Sequence, residues 1–433
     1  MARSNKISKS SLLQKVEAGF LLFEESLNGS KSSSRHAIRR RAFNKLEQLD
    51  FPSRKHEEYK YTNLTKKIDS EFASFDVLSG EIVNPSTNYL NSADGYYYFF
   101  TNGRFNEQKS YRSENTEFSV TTSENETSSL NSLESSLKAN DSFELLNAVF
   151  SEEGIAFHIN KGQTLSKPIF IIHELDGNQV SQPRVVVNAG QGSSAVISEI
   201  HYSKGLKYCF TNSHTNFNIG SDAHITHLRT GLESANSIRV NTSSANQEAN
   251  SVFTSINTDL GGEYIRNNLN VSQNGSGCVT NMYGLYALSG NMHVDNHTSV
   301  DHKFPNTESN ELYKGILTGN STGVFNGKIF VRQDAQKTNA YQQNSNILLS
   351  DEAVIYTKPQ LEIWADDVKC SHGCTTGRLD KEQIFYLRTR GISERDAKAM
   401  LLHAYAVDVL NHIPIKELRS LLDEQIIKIV NNA

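Results

Sequence analysis

In the stretch Asp366-Asp367-Val368-Lys369-Cys370-Ser371-His372-Gly373-Cys374, two cysteines and a histidine stand two residues apart. Side chains at i, i+2 and i+4 of an extended strand leave the same face of it. Cys370, His372 and Cys374 are therefore expected to project together, with Asp366 and Val368 ahead of them, while Lys369, Ser371 and Gly373 face the other way. Thiolates and an imidazole on one strip of backbone are the ligands of a transition-metal or sulfur-handling site. The plainer alternative makes Cys370 and Cys374 small buried hydrophobes beside a structural histidine. Three ligands also fall short of a closed tetrahedral set. A fourth has to come from elsewhere in the chain or from a partner.

Composition narrows what can carry this strip. A chain of 433 residues is too long for one small core, and two or three domains are expected. The net charge of −5 gives no global basic field for nucleic acid. Arg39-Arg40-Arg41 falls in a helical stretch and reads as a solvated face. Four cysteines do not make a disulfide framework, so reduced thiols in a cytoplasmic protein are expected. Met1-Ala2-Arg3-Ser4-Asn5-Lys6 has no apolar run behind it of the kind a signal peptide carries. Nowhere do ~18 apolar residues follow one another, so no membrane span is expected and the protein reads as soluble and intracellular.

The chain changes texture three times. Residues 1–80 read as a helical region: Leu12, Leu13, Val16, Phe20 and Phe23 recur at helical spacing, with Ser8, Ser10 and Ser11 as candidate caps. A second helix carries Ile38, Ala42, Leu46 and Leu49 and stops before Pro52. Residues 81–153 are a polar linker with short elements, among them a strand at Tyr96–Phe100, a polar loop from Thr121 to Ser129 and a helix over 141–150. Residues 154–376 hold short β-rich runs separated by Asn, Gly, Ser and Asp. There Asn188, Asn218, Asn241 and Asn270 follow a shared pattern at intervals of 30, 23 and 29 residues. One strand-and-corner unit per ~25–30 residues suits a solenoid, and a parallel β-helix with polar corners near Asn188, Asn218 and Asn270 is the preferred form. An antiparallel sandwich is the alternative. Residues 377–433 turn helical, with Asp380, Ser393 and Pro414 opening three amphipathic helices that either pack on the solenoid end or face a partner.

Two nucleotide-like motifs fail on context. Gly190-Gln191-Gly192-Ser193-Ser194-Ala195 fits a dinucleotide fingerprint but is followed by the strand-like Val196-Ile197-Ser198-Glu199-Ile200. Gly323-Val324-Phe325-Asn326-Gly327-Lys328 is one residue short of a phosphate loop and leads into Ile329-Phe330-Val331. His293, His297 and His302 with Asp295 and Asp301 read as hydrogen-bonded corners rather than a site.

Several segments, in order, resemble the SufB/SufD family. Pro52-Ser53-Arg54-Lys55-His56-Glu57-Glu58-Tyr59-Lys60-Tyr61-Thr62 is similar to its N-terminal signature. Tyr313-Lys314-Gly315-Ile316-Leu317, Phe325-Asn326-Gly327-Lys328-Ile329 and Ala335-Gln336-Lys337-Thr338 are similar to its core. Phe385-Tyr386-Leu387-Arg388-Thr389-Arg390-Gly391-Ile392 closes the match, and the wording around Cys370 and His372 looks like the SufD branch. The resemblance implies a mainly β protein, a right-handed parallel β-helix core flanked by N- and C-terminal helical regions. It also implies a non-enzymatic scaffold that works with a SufB-like subunit and a SufC-like ABC ATPase in iron–sulfur cluster assembly. Cys370 and His372 would then lie at the SufB contact, where a transient iron–sulfur cluster forms, and the C-terminal helices would dock the ATPase. Self-association as a homodimer is a further expectation for the chain alone. The family usually has alanine where this chain has Cys374. Two rival readings stand beside this one: a β-helix carbohydrate-active enzyme, and a purely structural family member with inert thiols.

Overall fold

The computed structural model describes residues 9–27, 30–75, 77, 93–111, 117–122, 127–151, 154–205 and 207–431. From Cys209 onward successive strands alternate between two sheets, and each pairs in parallel with the strand two elements before it. Both sheets reach ten strands. The chain is therefore mainly β, a parallel β-solenoid of about eight turns between N- and C-terminal helices. A sandwich of antiparallel neighbours is excluded by this every-second-strand pairing.

Strand periodicity builds the interior. Met282, Glu311, Gln342 and His372 occupy one position in four successive turns of the first sheet. Across the interior Gly327 has no side chain, and a Cβ there would collide with the Gln342 amide. The corners are tight: Gly192, Asp222 and Asn250 take φ of 66°, 60° and 56°, and each donates its backbone N–H to a carbonyl of the next turn. The dinucleotide-like Gly190–Ala195 segment is one such corner running into a strand, and Gly323–Lys328 lies within the strand Thr322–Val331. The asparagine pattern was only partly in register. Asn188 and Asn218 do stack, the Asn218 amide donating to Asn188 at 2.8 Å, beside the corners that follow them. The next rung places Asn246 beside Asn218, while Asn241 is an interior residue opposite Asn267. Asn270 stands in another column, opposite Ser244. A motif spaced by 23 residues cannot occupy one column when the ladder repeats Asn218 at Asn246.

Helices cover both outer faces. Ser11–Ser26 and Ser34–Leu49 are capped by Ser10 and Ser33, whose side chains accept from the N–H groups of Leu13 and His36. With Leu64–Glu71, Thr127–Ser136 and Ser142–Phe150 they bury Leu13, Phe20, Leu46 and Phe143 against Phe210, Ile238 and Val240 of the second sheet. On the other flank, Glu394–Leu410 and Lys416–Asn431 set Leu410, Leu418 and Leu422 on Ile200, Leu228 and Ile256. These C-terminal helices thus pack on the side of the solenoid and not on its end. Two expectations need correction. Arg39 is buried, its Nη2 donating to the Ser151 carbonyl at 2.7 Å and its guanidinium 5.0 Å from the Phe23 ring. Three consecutive helical residues sweep about 200°, so one of three arginines had to face inward. The polar Thr121–Ser129 segment begins at the end of the strand Phe118–Thr121 and finishes inside the helix Thr127–Ser136, with 123–126 outside the described residues.

The segment around Glu57–Tyr59 clamps the N-terminal region to the solenoid. Glu58 pairs with Lys328, accepts from Asn326 at 3.3 Å and lies 3.2 Å from His297 Nδ1. Thr62 donates to Asp295 at 2.6 Å. Arg266 reaches Asp295 at 2.7 Å and the Glu58 carbonyl at 2.8 Å, with its guanidinium 4.0 Å from the Tyr59 ring. His293, His297 and Asp295 therefore form a polar anchor, whereas His302 is buried apart between the Thr307 and Ser309 hydroxyls.

The hydrogen bond with His297, then Lys328, holds the Glu58 carboxyl down at about 2. A depressed carboxyl stabilises the fold above its unfolded pKa, and that contribution is lost as pH falls through the folded value. The side chain is 38% exposed, so the contribution is discounted to about 1 kcal/mol. Glu58→Gln should lower the urea midpoint by the equivalent of about 1 kcal/mol at pH 7. The difference from wild type should shrink progressively below the ordinary carboxyl value of 4.5. A gap that stays constant down to about pH 3 would show that the charge is not the operative feature.

Candidate functional site

The strand Lys369–Gly377 is the last of the first sheet, paired in parallel with Asn339–Leu348. Val354–Ile363 is the last of the second, paired with Thr322–Val331. Among the described residues neither has a strand on its far edge. The solenoid is open here.

Cys370, His372 and Cys374 stand opposite Ala340, Gln342 and Asn344, all three buried. The strip thus continues interior columns of the solenoid, and its ligands share one face. It is accessible because no further turn covers it. Cys370 is half-buried against Ile329, Val331 and Ala340, while His372 and Cys374 are exposed. Asp366 and Val368 precede the strand and are not part of the strip, which begins at Lys369. Alternate strand residues are about 6.6 Å apart along the backbone. Among the described residues, the three do not form a group whose ligand atoms all fall within 4.8 Å of one another. Such a row suits a polynuclear guest or a site completed from across an interface better than one chelated ion.

The floor beneath the strip is polar and fixed. Gln342 donates to Glu311 at 2.6 Å, and burial pushes the Glu311 carboxyl up to about 7. Asn344 donates to the Tyr286 hydroxyl at 3.1 Å, which in turn donates to Asn346 at 2.6 Å. Burial also raises the Cys370 thiol, opposed by a backbone contact with Ala340. Cys370 therefore rests protonated at neutral pH and gives up its proton on binding metal. Glu311 and Gln342 escape notice in the sequence; only the rung-to-rung register reveals that they stand behind His372.

Exposed Tyr341, Tyr356, Ile363 and Trp364 surround the open end. Tyr61 stacks on Tyr356 at 4.0 Å, and the Arg332 guanidinium lies 5.0 Å from the Trp364 ring. Unpaired backbone beside apolar side chains is what an added strand covers. Beyond the strip, the helix Lys381–Thr389 buries no residue, leaving Phe385 68% and Tyr386 57% exposed.

A family model described as SUF system FeS cluster assembly, SufBD core domain, matches residues 170–405. The chain belongs to the SufB/SufD family. The SufBD protein N-terminal region matches residues 20–171, so the family's two parts meet at the strand Ile169–Asp176. An iron–sulfur cluster assembly SufBD family protein of Synechocystis sp. is 29% identical over 441 residues, covering 97% of this chain and 96% of that protein. The iron–sulfur cluster assembly protein SufD of Escherichia coli is 31% identical over 373 residues, covering 84% and 86%. A chloroplastic protein of Arabidopsis thaliana is 27% identical over 429 residues, covering 92% and 86%. The strip and its polar floor lie wholly inside the core-domain match of this SufB/SufD chain. No helix among the described residues is long and apolar enough to cross a membrane.

Cys209 and Cys278 are buried, unlike the two cysteines of the strip. Brief alkylation of the native protein should label Cys374 first and Cys370 more slowly, with Cys370 labelling accelerating up to and above pH 9 as its thiol ionises. Cys209 and Cys278 should react only after unfolding. Peptide mass mapping reads all four, and native labelling of Cys278 would contradict a closed interior.

Proposed function

We propose that this chain is the SufD-type subunit of a SufB–SufC–SufD complex, an accessory scaffold that lends Cys370 and His372 to a nascent iron–sulfur cluster at its contact with a SufB-type partner. The observation that carries this reading is the open solenoid end. There a thiol and an imidazole lie in line on a strand with one bare edge, with too few convergent ligands to hold a cluster alone. Thiolate binds iron and bridging sulfide chemistry tolerates an imidazole at a corner of the cluster. Ligation shared across two chains lets the cluster, as cargo, leave when the contact loosens. Cys374 adds a third donor on the same face. The carbohydrate-active alternative loses its footing with the family assignment.

The same reading gives the C-terminal helices their partner. Phe385 and Tyr386 on Lys381–Thr389, with Met400 on the next helix, present an apolar surface suited to a SufC-type ATPase. In the absence of a SufB-type chain, the unpaired edges suit a second copy, which would give a homodimer.

Co-expressed with its SufB- and SufC-type partners, His372→Ala should leave the purified complex intact while lowering the rate of cluster formation at least about tenfold. Cys370→Ala should act in the same direction, and Cys374→Ala should be near normal. Absorption and circular dichroism of the reconstituted cluster read the outcome. A wild-type rate for His372→Ala in an intact complex refutes the role of the strip.

Deleting 380–433 would strip apolar cover from Ile200, Leu228 and Ile256, so a surface change tests ATPase docking more cleanly. Phe385→Glu with Tyr386→Glu should leave the fold unchanged by circular dichroism and weaken co-purification of the ATPase by about tenfold or more. Undiminished capture would move the docking surface elsewhere.

A further inference from the structure

A second set of metal-ligating side chains lies inside the solenoid, far from the open end. His173 is on the strand Ile169–Asp176, and Glu199 and His201 are on its neighbour Ser194–Lys204. Six strand spacings along the first sheet separate that neighbour from Lys369–Gly377, about 29 Å at roughly 4.8 Å each. The register sets His173 opposite His201, with Glu199 two residues earlier on the same interior face. One ligand atom of each lies within 4.8 Å of the other two, and all three residues are buried.

Within this cluster the polar atoms are only partly satisfied. His173 Nε2 is 3.3 Å from Glu199 Oε2, and His227 Nε2 is 2.9 Å from Glu199 Oε1. His201 is different. It is 1% exposed, and neither of its ring nitrogens has a hydrogen-bond partner. Its ring lies parallel to that of His173 with centroids 4.4 Å apart, so the contact uses the ring faces and leaves the nitrogens unused. A buried imidazole with two idle nitrogens is destabilising unless something else occupies them. A cavity of about 10 Å³, bordered by His173, His201, Ser203, Cys209 and Glu233, adjoins it. That is room for one water-sized occupant.

We propose that His173, Glu199 and His201 bind one divalent first-row transition metal ion of the zinc or ferrous type inside the solenoid. Two imidazoles and one carboxylate with open positions form the ligand set these ions share. His227, hydrogen-bonded to the other oxygen of Glu199, is a positioning residue that fixes the carboxylate. Arg229 stands 3.9 Å from Glu199, and Arg239 is paired with Glu233 and Asp259.

The test uses tag-free, full-length protein in which Cys370, His372 and Cys374 are all replaced by alanine, removing the open-end donors. Produced in zinc-supplemented medium and dialysed against metal-free buffer, it should retain about one zinc per chain by elemental mass spectrometry. Zinc-edge X-ray absorption should show nitrogen and oxygen ligands with imidazole scattering and no sulfur. His201→Gln should reduce retained zinc about tenfold or more, with His227→Ala intermediate and circular dichroism confirming the fold. If His201→Gln does not fold, the X-ray spectrum of the parent protein decides. Folded protein that is metal-free after growth with zinc and after anaerobic ferrous loading holds only water in the cavity, and the proposal falls. Sulfur among the ligands, or zinc retention unchanged by His201→Gln, overturns it equally.

Discussion

Each turn of a β-solenoid hands its backbone donors and acceptors to the next, so the last turn is left with a row that nothing in the same chain takes up. At the N-terminal end short antiparallel strands turn the ladder back: Arg104–Phe105 folds onto Tyr96–Thr101, and Phe118–Thr121 pairs with Ile155–Ile159. The other end stops on two strands with bare edges. Interior positions become surface there, which is why Cys370, His372 and Cys374 are reachable though Ala340, Gln342 and Asn344 directly beneath them are buried. The site's chemistry is an interior column brought to light by the end of the ladder.

That arrangement needs the ladder to be stiff, and the helices supply the stiffness from outside. One group buries its apolar stripes against Phe210 and Val240, the other against Ile200 and Leu228, so both sheets are covered on their outer faces. The Glu58–Arg266–Asp295 anchor adds a polar fastening, with Asp295 and Arg266 two and three strands from the last strand of the second sheet. Lys358 continues it to the final strand through its ion pair with Glu57. The N-terminal signature and the last turn, some three hundred residues apart in sequence, are thereby held as one body.

The sequence made some of this legible and hid the rest for physical reasons. Cys370, His372 and Cys374 could be placed on one face because strand periodicity is local and survives any tertiary arrangement. The solenoid itself could be read from short apolar strands between Asn, Gly and Asp corners. Column membership could not, because it depends on the register of neighbouring turns: Asn241 matched the repeat by wording yet lies in the interior. Alternation also does not say which of its two faces is inside. Glu311, Gln342, Glu199 and His201 look in sequence like ordinary outward polar residues. The signal that finds them is the spacing between rungs, which sets His173 against His201 and Glu311 against Gln342.

The two ligand sets differ in the property that decides how long a guest stays. Releasing an ion from among His173, Glu199 and His201 requires the sheets around it to part, since each of the three is at most 1% exposed. Dissociation there is limited by opening of the solenoid, and a bound ion is in effect part of the core. At the open end, His372 and Cys374 face outward and their ligand atoms do not converge, so this strip alone does not enclose a guest. The two sets thus differ along one ladder both in burial and in donor type, thiol and imidazole at the open end against imidazole and carboxylate inside.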